Sequence, residues 1–366
     1  MASDVRFALI GCGRITGNHL DVLSTLPRAT IAAVCDLTPE RARAYGERLG
    51  VPWYTNYHEM LVSEQTDVVC ILTPSGMHAL HALDILERYG THLIIEKPPA
   101  LRIGDLTRVQ EAASAAGRRL FPVYQNRYNK AVRKVHGEIR DGALGQPLLG
   151  SVRVRWCRPQ RYYDQSVWRG TWELDGGCAT NQGIHYVDLL LHLMGDVETV
   201  YARTATQLVS VDVEDMLVAS LRFRNGALGS IEITTAVRPD DFEAEISVLG
   251  DRGSAVIAGL AANRLVLFTP DPSQCAAFSE DIPNAYGLGH RPFLQDVIAD
   301  LLDGVPHPVS WTEGARAVRL LSAMYRSAED GAPVTLADEP ASARLGRYDS
   351  ALYERYVSPP KAATGR

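Results

Sequence analysis

Short apolar segments alternate with helical patterns through the first third of this 366-residue chain, and this alternation most constrains its fold. Strands separated by helices predict a parallel sheet with helices on both faces. Farther along, strands follow one another directly, which predicts an antiparallel sheet. The predicted strands of the first part are VRFALI (5–10), TIAAVCD (30–36), DVVCILT (67–73), THLIIE (91–96) and LFPVYQ (120–125), and its predicted helices cover about 15–26, 39–49, 78–89 and 103–116.

A glycine-rich turn follows the first predicted strand, and Thr16 replaces the third glycine of a G-x-G-x-x-G pattern there. Glycines at such a turn let the backbone approach a pyrophosphate, and the following helix N-terminus offers free N–H groups. The second strand ends in Asp36, whose carboxylate would accept bonds from ribose hydroxyls and repel a 2′-phosphate. We therefore expect NAD rather than NADP as the cofactor, bound by Gly11, Cys12, Gly13, Arg14, Ile15 and Asp36.

Polar residues also end the other predicted strands of this part. The strand that ends in Glu96 presents Lys97, which Pro98 holds in an extended conformation. Because ligands of open parallel sheets bind beyond the carboxyl ends of the strands, these residues should meet in one crevice, with Lys97 at the cofactor. The expected cofactor contacts therefore also include Thr73, Pro74, His78, Glu96, Lys97, Gln125, Trp168 and Arg169.

The pattern changes near residue 122, and the rest of the chain predicts an α+β unit. Asn225-Gly226 is a strong hairpin signal between two of its strands. Together the two parts predict an α/β plus α+β protein, with a dinucleotide-binding Rossmann domain over 1–123, a second domain on an open, mostly antiparallel sheet over 124–350, and a tail over 351–366. The predicted elements are helices at 130–140, 181–194, 290–303 and 312–329, and strands at 151–156, 197–206, 215–224, 227–237 and 242–250.

Composition restricts the partners of the chain. A net charge of −6 and a pI of about 5.9 argue against non-specific nucleic-acid binding, which needs a basic surface. No apolar run is long enough to span a membrane, and MASDVRF lacks the features of a signal peptide, so we expect a cytoplasmic protein. The six cysteines form no Cys-x-x-Cys pair and are expected to be free thiols.

The segment WRGTWELDGGCATNQGIHYVDLLLHLMG (168–195) carries the second group of candidates. Asn181, His185 and Asp188 have i, i+4, i+7 spacing, which predicts one shared helix face. His185 could take a hydroxyl proton, and Asp188 could fix its tautomer or cap a neighbouring loop. A buried core histidine is the alternative interpretation. The histidines show no ligand spacing with acids, so we expect no catalytic metal.

These motifs resemble the glucose–fructose oxidoreductase/inositol dehydrogenase family of NAD(P)-dependent sugar dehydrogenases over nearly the whole chain. The resemblance rests on GCGRI at 11–15, EKP at 96–98 and G-G-x-x-x-N-x-G-x-H-x-x-D from Gly176 to Asp188. It implies that Lys97 and His185 are the catalytic residues, and that the open sheet packs against another subunit of a dimer or tetramer. Inositol dehydrogenases usually carry Asp where this chain has Asn181, and an amide cannot accept a proton.

Other segments resemble the branch that oxidises UDP-N-acetylglucosaminuronate at C3, namely QNRYN (125–129), RPQRYY (158–163), WRGTW (168–172) and NQGIH (181–185). Arg153 and Arg155 alternate on one predicted strand, and arginines near a site would suit an anionic sugar. A solvated strand face is the alternative. The expected substrate contacts are Lys97, Asn126, Arg127, Tyr128, Arg158, Tyr163, Asn181 and His185.

The sequence thus predicts an NAD-dependent dehydrogenase that oxidises a ring secondary alcohol of a sugar. His185 would remove the hydroxyl proton, and Lys97 would orient the oxygen and stabilise its negative charge. Three alternatives stay open: a keto-sugar reductase, a neutral polyol dehydrogenase of the inositol type, and a non-catalytic dinucleotide-binding regulator. The retained Lys97 and His185 argue against the last of these.

Overall fold

The computed structural model describes residues 4–357, and its first part alternates strands and helices as the sequence predicts. The predicted strand at 120–125 is shorter, because a 3₁₀ turn takes over at Gln125–Tyr128. A two-residue strand and a helix capped by Asn56 were not predicted. In chain order the elements are β1 (Val5–Ile10), α1 (Thr16–Leu23), β2 (Ala29–Cys35), α2 (Pro39–Leu49), β3 (Trp53–Tyr54), α3 (Tyr57–Ser63), β4 (Val68–Ile71), α4 (His78–Arg88), β5 (His92–Ile95), α5 (Ile103–Ala116) and β6 (Leu120–Pro122).

These strands form one parallel six-stranded sheet in the order β3-β2-β1-β4-β5-β6. Successive side chains of β1 point to opposite faces, as the strand pleat requires. Phe7 packs with Leu20 of α1 on one face, while Ala8 packs with Ile85 of α4 on the other. Burial of both faces explains why these strands are almost wholly apolar. The carboxyl ends of β1, β4 and β5 therefore open on one edge.

The second part contains helices and a large mixed sheet. Three of its strands, at 254–258, 264–268 and 334–335, were not predicted. Its elements are α6 (Lys130–Arg140), β7 (Pro147–Arg155), α7 (Gln160–Tyr163), α8 (Gly177–Asn181), α9 (Ile184–Met194), β8 (Val197–Ala205), β9 (Met216–Phe223), β10 (Leu228–Thr234), β11 (Glu243–Gly250), β12 (Ser254–Ala258), β13 (Arg264–Phe268), α10 (His290–Asp303), α11 (Trp311–Asp330), β14 (Val334–Thr335) and α12 (Ser350–Tyr356).

The eight strands of this sheet are ordered β13-β12-β11-β7-β10-β9-β8-β14, and only the β7–β10 pair is parallel. The β9–β10 hairpin turns at Asn225-Gly226, as predicted. One face is buried with side chains of α9 and α11, including Val152 and Val154 of β7. The other face is not covered by a helix within residues 4–357, and its packing against another subunit stays a prediction.

The predicted helix over 181–194 is divided in the structure. Asn181 ends α8, and α9 begins at Ile184. The chain between them runs close to β10. A Cβ at Gly183 would lie only 2.5 Å from a side-chain atom of Ile233, so a larger residue would not fit there. Asn181 and His185 therefore belong to two short helices rather than to one helix face.

The last helix, α12, begins one residue before the segment predicted as a tail and continues into it. Tyr57 and His58 donate to the carbonyl oxygen of Val357, at 3.0 and 2.7 Å, and His81 lies 2.9 Å from that of Tyr356. These buried contacts make residues 351–357 part of the fold, so a tail that begins at 351 is too long. Residues 358–366, SPPKAATGR, lie outside the described residues.

Two further expectations concern cysteines and membranes. All six cysteines are free thiols, and Cys12, Cys35, Cys70 and Cys178 are buried. Between residues 4 and 357, no helix combines the length and the apolar character that a bilayer crossing requires.

Candidate active site

The glycine turn after β1 has the form expected of a phosphate cradle. Gly11 has φ +96°, and a Cβ there would lie 2.6 Å from the carbonyl oxygen of Leu72, so only glycine fits. No atom lies within 4 Å of the Cβ position of Gly13. Asp36 accepts bonds from the backbone N–H groups of Cys12 and Thr38, both at 2.8 Å. The carboxylate is thus tied to the cradle at the end of β2.

The turn after β4 is held by two histidines of α4. The ring of His78 lies 2.7 Å from the carbonyl oxygens of both Thr73 and Pro98. The hydroxyl of Thr73 lies 3.1 Å from Nδ1 of His81. His78 therefore joins the turn at Thr73 to the loop that carries Lys97, and both of its ring nitrogens are used in doing so.

Glu96 and Lys97 follow β5, and the Lys97–Pro98 peptide bond is cis. Glu96 accepts a bond from Nε2 of His19 at 2.8 Å and one from the backbone N–H of Lys97 at 3.1 Å. Burial opposes its ionisation, but the bond from His19 and nearby positive charge lower the pKa of Glu96 to about 2. Glu96 is therefore a buried carboxylate that shapes the loop.

His19, Glu96 and His290 have potential metal-ligand atoms within 4.8 Å of one another, a grouping that the sequence did not suggest. Nε2 of His19 lies 2.8 Å from Oε1 of Glu96, so the group contributes at least this hydrogen bond to the loop.

Lys97 reaches the junction between α8 and α9. Its ammonium group donates to the carbonyl oxygen of Asn181 at 2.8 Å. Burial lowers the pKa of Lys97, while the charges of Glu96 and Asp175 oppose that effect. The Asn181 amide donates to Asp175, a fully buried carboxylate that also accepts from the N–H of Gly170 at 2.7 Å. A lysine, an amide and a carboxylate thus meet at one point.

His185, at the start of α9, lies in the same crevice. Its Nε2 is 3.5 Å from the amide nitrogen of Gln125, and its Nδ1 is buried with no partner within residues 4–357. Burial, followed by the charge of Lys97, lowers the pKa of His185 to about 3. The imidazole is therefore neutral at physiological pH and able to accept a proton.

Asp188 does not contact His185. Both of its oxygens accept from the guanidinium of Arg127, at 2.6 and 2.8 Å, and Arg127 also bonds Glu313 at 3.3 Å. The pair is almost wholly buried. Arg127, predicted to bind substrate, uses its guanidinium to join the 125–128 turn to α9 instead of facing the crevice.

The other residues predicted to contact substrate differ in whether their polar atoms already have hydrogen-bond partners. Tyr128 donates to Asp296 of α10 at 2.8 Å, and the Tyr163 hydroxyl lies 3.1 Å from that of Thr235. Both phenols are buried, so their hydroxyls are satisfied away from Lys97. The side-chain oxygen of Asn126 is buried with no partner among the described residues.

Two arginines lie at the mouth of the crevice around Tyr162. Arg169 stacks over the Tyr162 ring at 4.1 Å and over Trp168 at 5.6 Å. Arg158 lies 5.5 Å from the Tyr162 ring, donates to Gln182 at 3.1 Å and pairs with Asp241 at 2.8 Å. Within the described chain, Arg169 forms no salt bridge with an acid.

Arg153 and Arg155 lie elsewhere. They project from the uncovered face of the large sheet, where Arg153 pairs with Glu245 at 2.6 Å and Arg155 with Glu232 at 2.6 Å. The structure therefore places these two arginines outside the crevice, on the face that the family resemblance predicts to pack against another subunit. The sequence showed that the two arginines alternate along β7. It did not show which face of the sheet they would occupy.

Three residues of the crevice were not predicted from the sequence. Asp175 precedes the glycine pair that opens α8, Tyr162 precedes the chosen Tyr163, and Gln182 follows Asn181. Gln182 donates to the Tyr162 hydroxyl at 3.0 Å and to the Asn181 side-chain oxygen at 2.8 Å. The only sequence signal was their position inside the segments RPQRYY and LDGGCATNQG.

Comparison with known proteins identifies the family of the chain. Residues 5–124 match a family model described as an oxidoreductase family with an NAD-binding Rossmann fold, and residues 132–256 match a GFO/IDH/MocA C-terminal domain. The WlbA dehydrogenase from Bordetella pertussis, solved with NADH and UDP-GlcNAcA, is 38% identical with a TM-score of 0.87, over 91% of this chain and 98% of that one. The chain belongs to the GFO/IDH/MocA family.

Two other relatives show the range of the family. The WlbA dehydrogenase from Chromobacterium violaceum, also solved with NADH and UDP-GlcNAcA, is 39% identical with a TM-score of 0.83, over 91% of this chain and 96% of that one. Myo-inositol 2-dehydrogenase of Thermotoga maritima is 26% identical, over 91% of this chain and 98% of that protein. The chain is an NAD-dependent dehydrogenase of sugars or polyols, and the cradle at Gly11 fits that cofactor.

Proposed function

We propose that this family member oxidises a ring secondary alcohol of a nucleotide-linked hexuronate such as UDP-N-acetylglucosaminuronate, at C3. The observation that carries the proposal is the 38–39% identity, over nine-tenths of the chain, to two dehydrogenases that bind UDP-GlcNAcA. Asp36 at the cradle favours NAD over NADP, because its carboxylate would repel a 2′-phosphate.

The roles of the catalytic residues follow from their protonation states. NAD accepts the hydride when bound. The neutral imidazole of His185 takes the hydroxyl proton as the carbinol becomes a ketone. The ammonium group of Lys97 hydrogen-bonds the same oxygen and stabilises the negative charge that develops on it. Asn181 and Gln125 supply further hydrogen bonds to ring hydroxyls.

The charge at the mouth of the crevice supports an anionic substrate. Arg169 is half-buried against two aromatic rings without an acidic partner in the described chain, and a guanidinium binds carboxylates and phosphates bidentately. Arg158 is partly neutralised by Asp241 but keeps contact with Gln182 beside Asn181. A neutral polyol would offer Arg169 no anionic group to bind.

A neutral polyol is the second candidate. Inositol 2-dehydrogenases match over 91–92% of this chain at 26% identity. The amides of Asn181, Gln182 and Gln125 could bind a polyol without any arginine. A keto-sugar reductase would use the same residues in the opposite direction.

Initial rates of NADH formation test the proposal. UDP-GlcNAcA, UDP-GlcNAc and myo-inositol are each supplied with NAD, and the reverse rate is measured with NADH and the keto product. We expect kcat/KM to be highest for UDP-GlcNAcA. R158A should raise KM far more than it lowers kcat, because an arginine that binds ground state and transition state alike contributes to KM.

Arg155, on the uncovered sheet face, provides the matched control, and R155A should leave both constants unchanged. The UDP-GlcNAc arm separates recognition of the carboxylate from recognition of the diphosphate. Equal turnover of myo-inositol with no effect of R158A would replace the proposal with a polyol dehydrogenase. NAD binding without turnover of any sugar would indicate the regulatory alternative.

A further inference from the structure

A chain of hydrogen bonds runs from Arg158 to Asp175, and every donor in it points the same way. Arg158 donates to Gln182 at 3.1 Å, Gln182 donates to the side-chain oxygen of Asn181 at 2.8 Å, and Asn181 donates to Asp175. This series of hydrogen bonds begins at the guanidinium of Arg158 and ends at the carboxylate of Asp175. Such an order aligns the two amide dipoles and places the negative end beside Lys97.

Asp175 and Lys97 are both bonded to Asn181, and Asp175 is buried whereas Lys97 is half-buried. Lys97 donates to the backbone oxygen of Asn181, and the side-chain amide of Asn181 donates to Asp175. Their charges are close enough for each to shift the pKa of the other. Glu96, the other acid near Lys97, also favours the ammonium form, and its oxygens accept bonds from His19 and from the backbone N–H of Lys97.

We propose that Asp175 is a counter-ion that helps to keep Lys97 protonated, and is thus a positioning residue for the carbinol oxygen. This role rests on the function proposed above. A buried ammonium is costly unless an opposite charge accompanies it. An acid at position 181 could also have served as the counter-ion, but this chain has the amide of Asn181 there. The acid is Asp175, six residues earlier, which accepts a hydrogen bond from that amide.

The charged and titratable surroundings of both groups are known from the structure. Burial raises the pKa of Asp175 to about 6, against the bonds from Gly170 and Asn181 and the charge of Lys97, so the carboxylate is ionised at neutral pH. The groups that face Lys97 are Glu96, Asp175, His78 and His185, and those that face Asp175 are Lys97, Arg169, Tyr162, Tyr163 and Cys178.

The chain contains four lysines, at 97, 130, 134 and 361, which makes a direct test practical. Protein labelled with ¹³C at lysine Cε is titrated by NMR without cofactor or substrate, and K97A identifies the Lys97 signal. D175N should lower the pKa of Lys97 by at least about one unit, because an opposite charge nearby commonly shifts a pKa by 1–3 units. An unchanged Lys97 titration in D175N would overturn the proposal.

Two further variants separate charge from geometry. D175N/N181D exchanges the acid and the amide and can keep the hydrogen bond between them, so it should return the pKa of Lys97 toward the wild-type value. N181A keeps the carboxylate but removes its amide partner, and Lys97 should titrate nearly as in wild type. A double variant in which the pKa of Lys97 stays well below the wild-type value would contradict the role as counter-ion. This comparison with wild type does not require D175N to fold.

Activity provides the second readout. With UDP-GlcNAcA as substrate, the basic limb of the pH profile of kcat should move to lower pH in D175N, because Lys97 loses its proton earlier. A uniform loss of kcat at all pH values, without a shift of the limb, would indicate a purely structural role and overturn the proposal. Failure of wild type to oxidise nucleotide sugars would instead contradict the proposed function, and the NMR titration would be unaffected.

Discussion

Lys97 and His185 show how burial sets the chemistry of single residues. Both side chains are enclosed by the crevice, and burial lowers the pKa of each, that of His185 to about 3. The imidazole is neutral and can accept a proton, whereas nearby acids favour the charged form of the lysine. Two basic groups in one cavity thus take different roles because their surroundings differ.

We predict that K97A and H185A each lower kcat by about 10²–10⁴, the usual contribution of one acid–base contact. NAD affinity should stay nearly unchanged, because the cradle at Gly11 and Asp36 is intact in both variants. Steady-state kinetics and calorimetric titration with NAD give the two quantities. K130A and H136A, which lie outside the crevice, are the matched controls, and near wild-type kcat in K97A or H185A would refute the assigned role.

At the scale of elements, the buried pair of Arg127 and Asp188 fixes α9 against the 125–128 turn. Both partners are almost fully enclosed and joined by two hydrogen bonds. Burial favours the neutral form of Asp188 and raises its pKa, although Arg127 opposes this shift. The pair holds the start of α9, and hence His185, beside Gln125.

We predict that D188A lowers the free energy of unfolding by about 3–5 kcal/mol, because it leaves the guanidinium of Arg127 buried without its main partner. The double variant R127M/D188L should recover much of this loss, since it removes both charges. Urea unfolding gives the values. R326A, from an exposed helix pair with Asp330, is the control and should cost less than about 1 kcal/mol. A D188A effect as small as that of R326A would contradict the prediction.

At the scale of the whole molecule, α11 joins the two sheets. Near its first turn, Trp311 donates to the carbonyl oxygen of Leu106, and the carbonyl oxygen of Gly314 accepts from Tyr124. Farther along, Tyr325 donates to Glu214 at 2.7 Å, and Glu214 also accepts from the N–H of Ala179 in α8. Burial raises the pKa of Glu214 to about 7 despite these bonds.

We predict that E214Q becomes progressively more stable relative to wild type as pH rises from 4.5 to above 7. In that window the folded wild type holds a proton that the unfolded chain has released, so wild-type stability falls as pH rises. The full difference is on the order of 3 kcal/mol, since one pKa unit corresponds to about 1.4 kcal/mol.

Urea unfolding of both proteins between pH 5 and 8 measures this difference. The comparison cancels the contributions of buried histidines such as His81 and His290, whose lowered pKa values act in the opposite direction. E47Q, at an exposed position of α2, is the matched control. A wild-type minus E214Q difference that does not change with pH would refute the prediction.

Much of the fold and part of the site could be predicted from local pattern. The alternation of strands and helices, the Asn225-Gly226 hairpin and the polar strand ends each depend on a few neighbouring residues. The division of the predicted helix at Gly183 could not be predicted, because it depends on the approach of β10. Arg153 and Arg158 looked equivalent in sequence, yet one lies on the uncovered sheet face and the other beside Gln182.

The sequence by itself determined the parallel sheet, the place of the glycine cradle and of Lys97, and the family, because strand period, turn chemistry and motif spacing are local properties. Only the tertiary structure decided which polar groups face one another. It paired Asp188 with Arg127 instead of His185. It also brought Asp175 and Lys97 to the same residue, Asn181, which bonds both of them. The physical reason is that a buried charge takes its partner from whichever element packs against it, and no spacing along the chain records that choice.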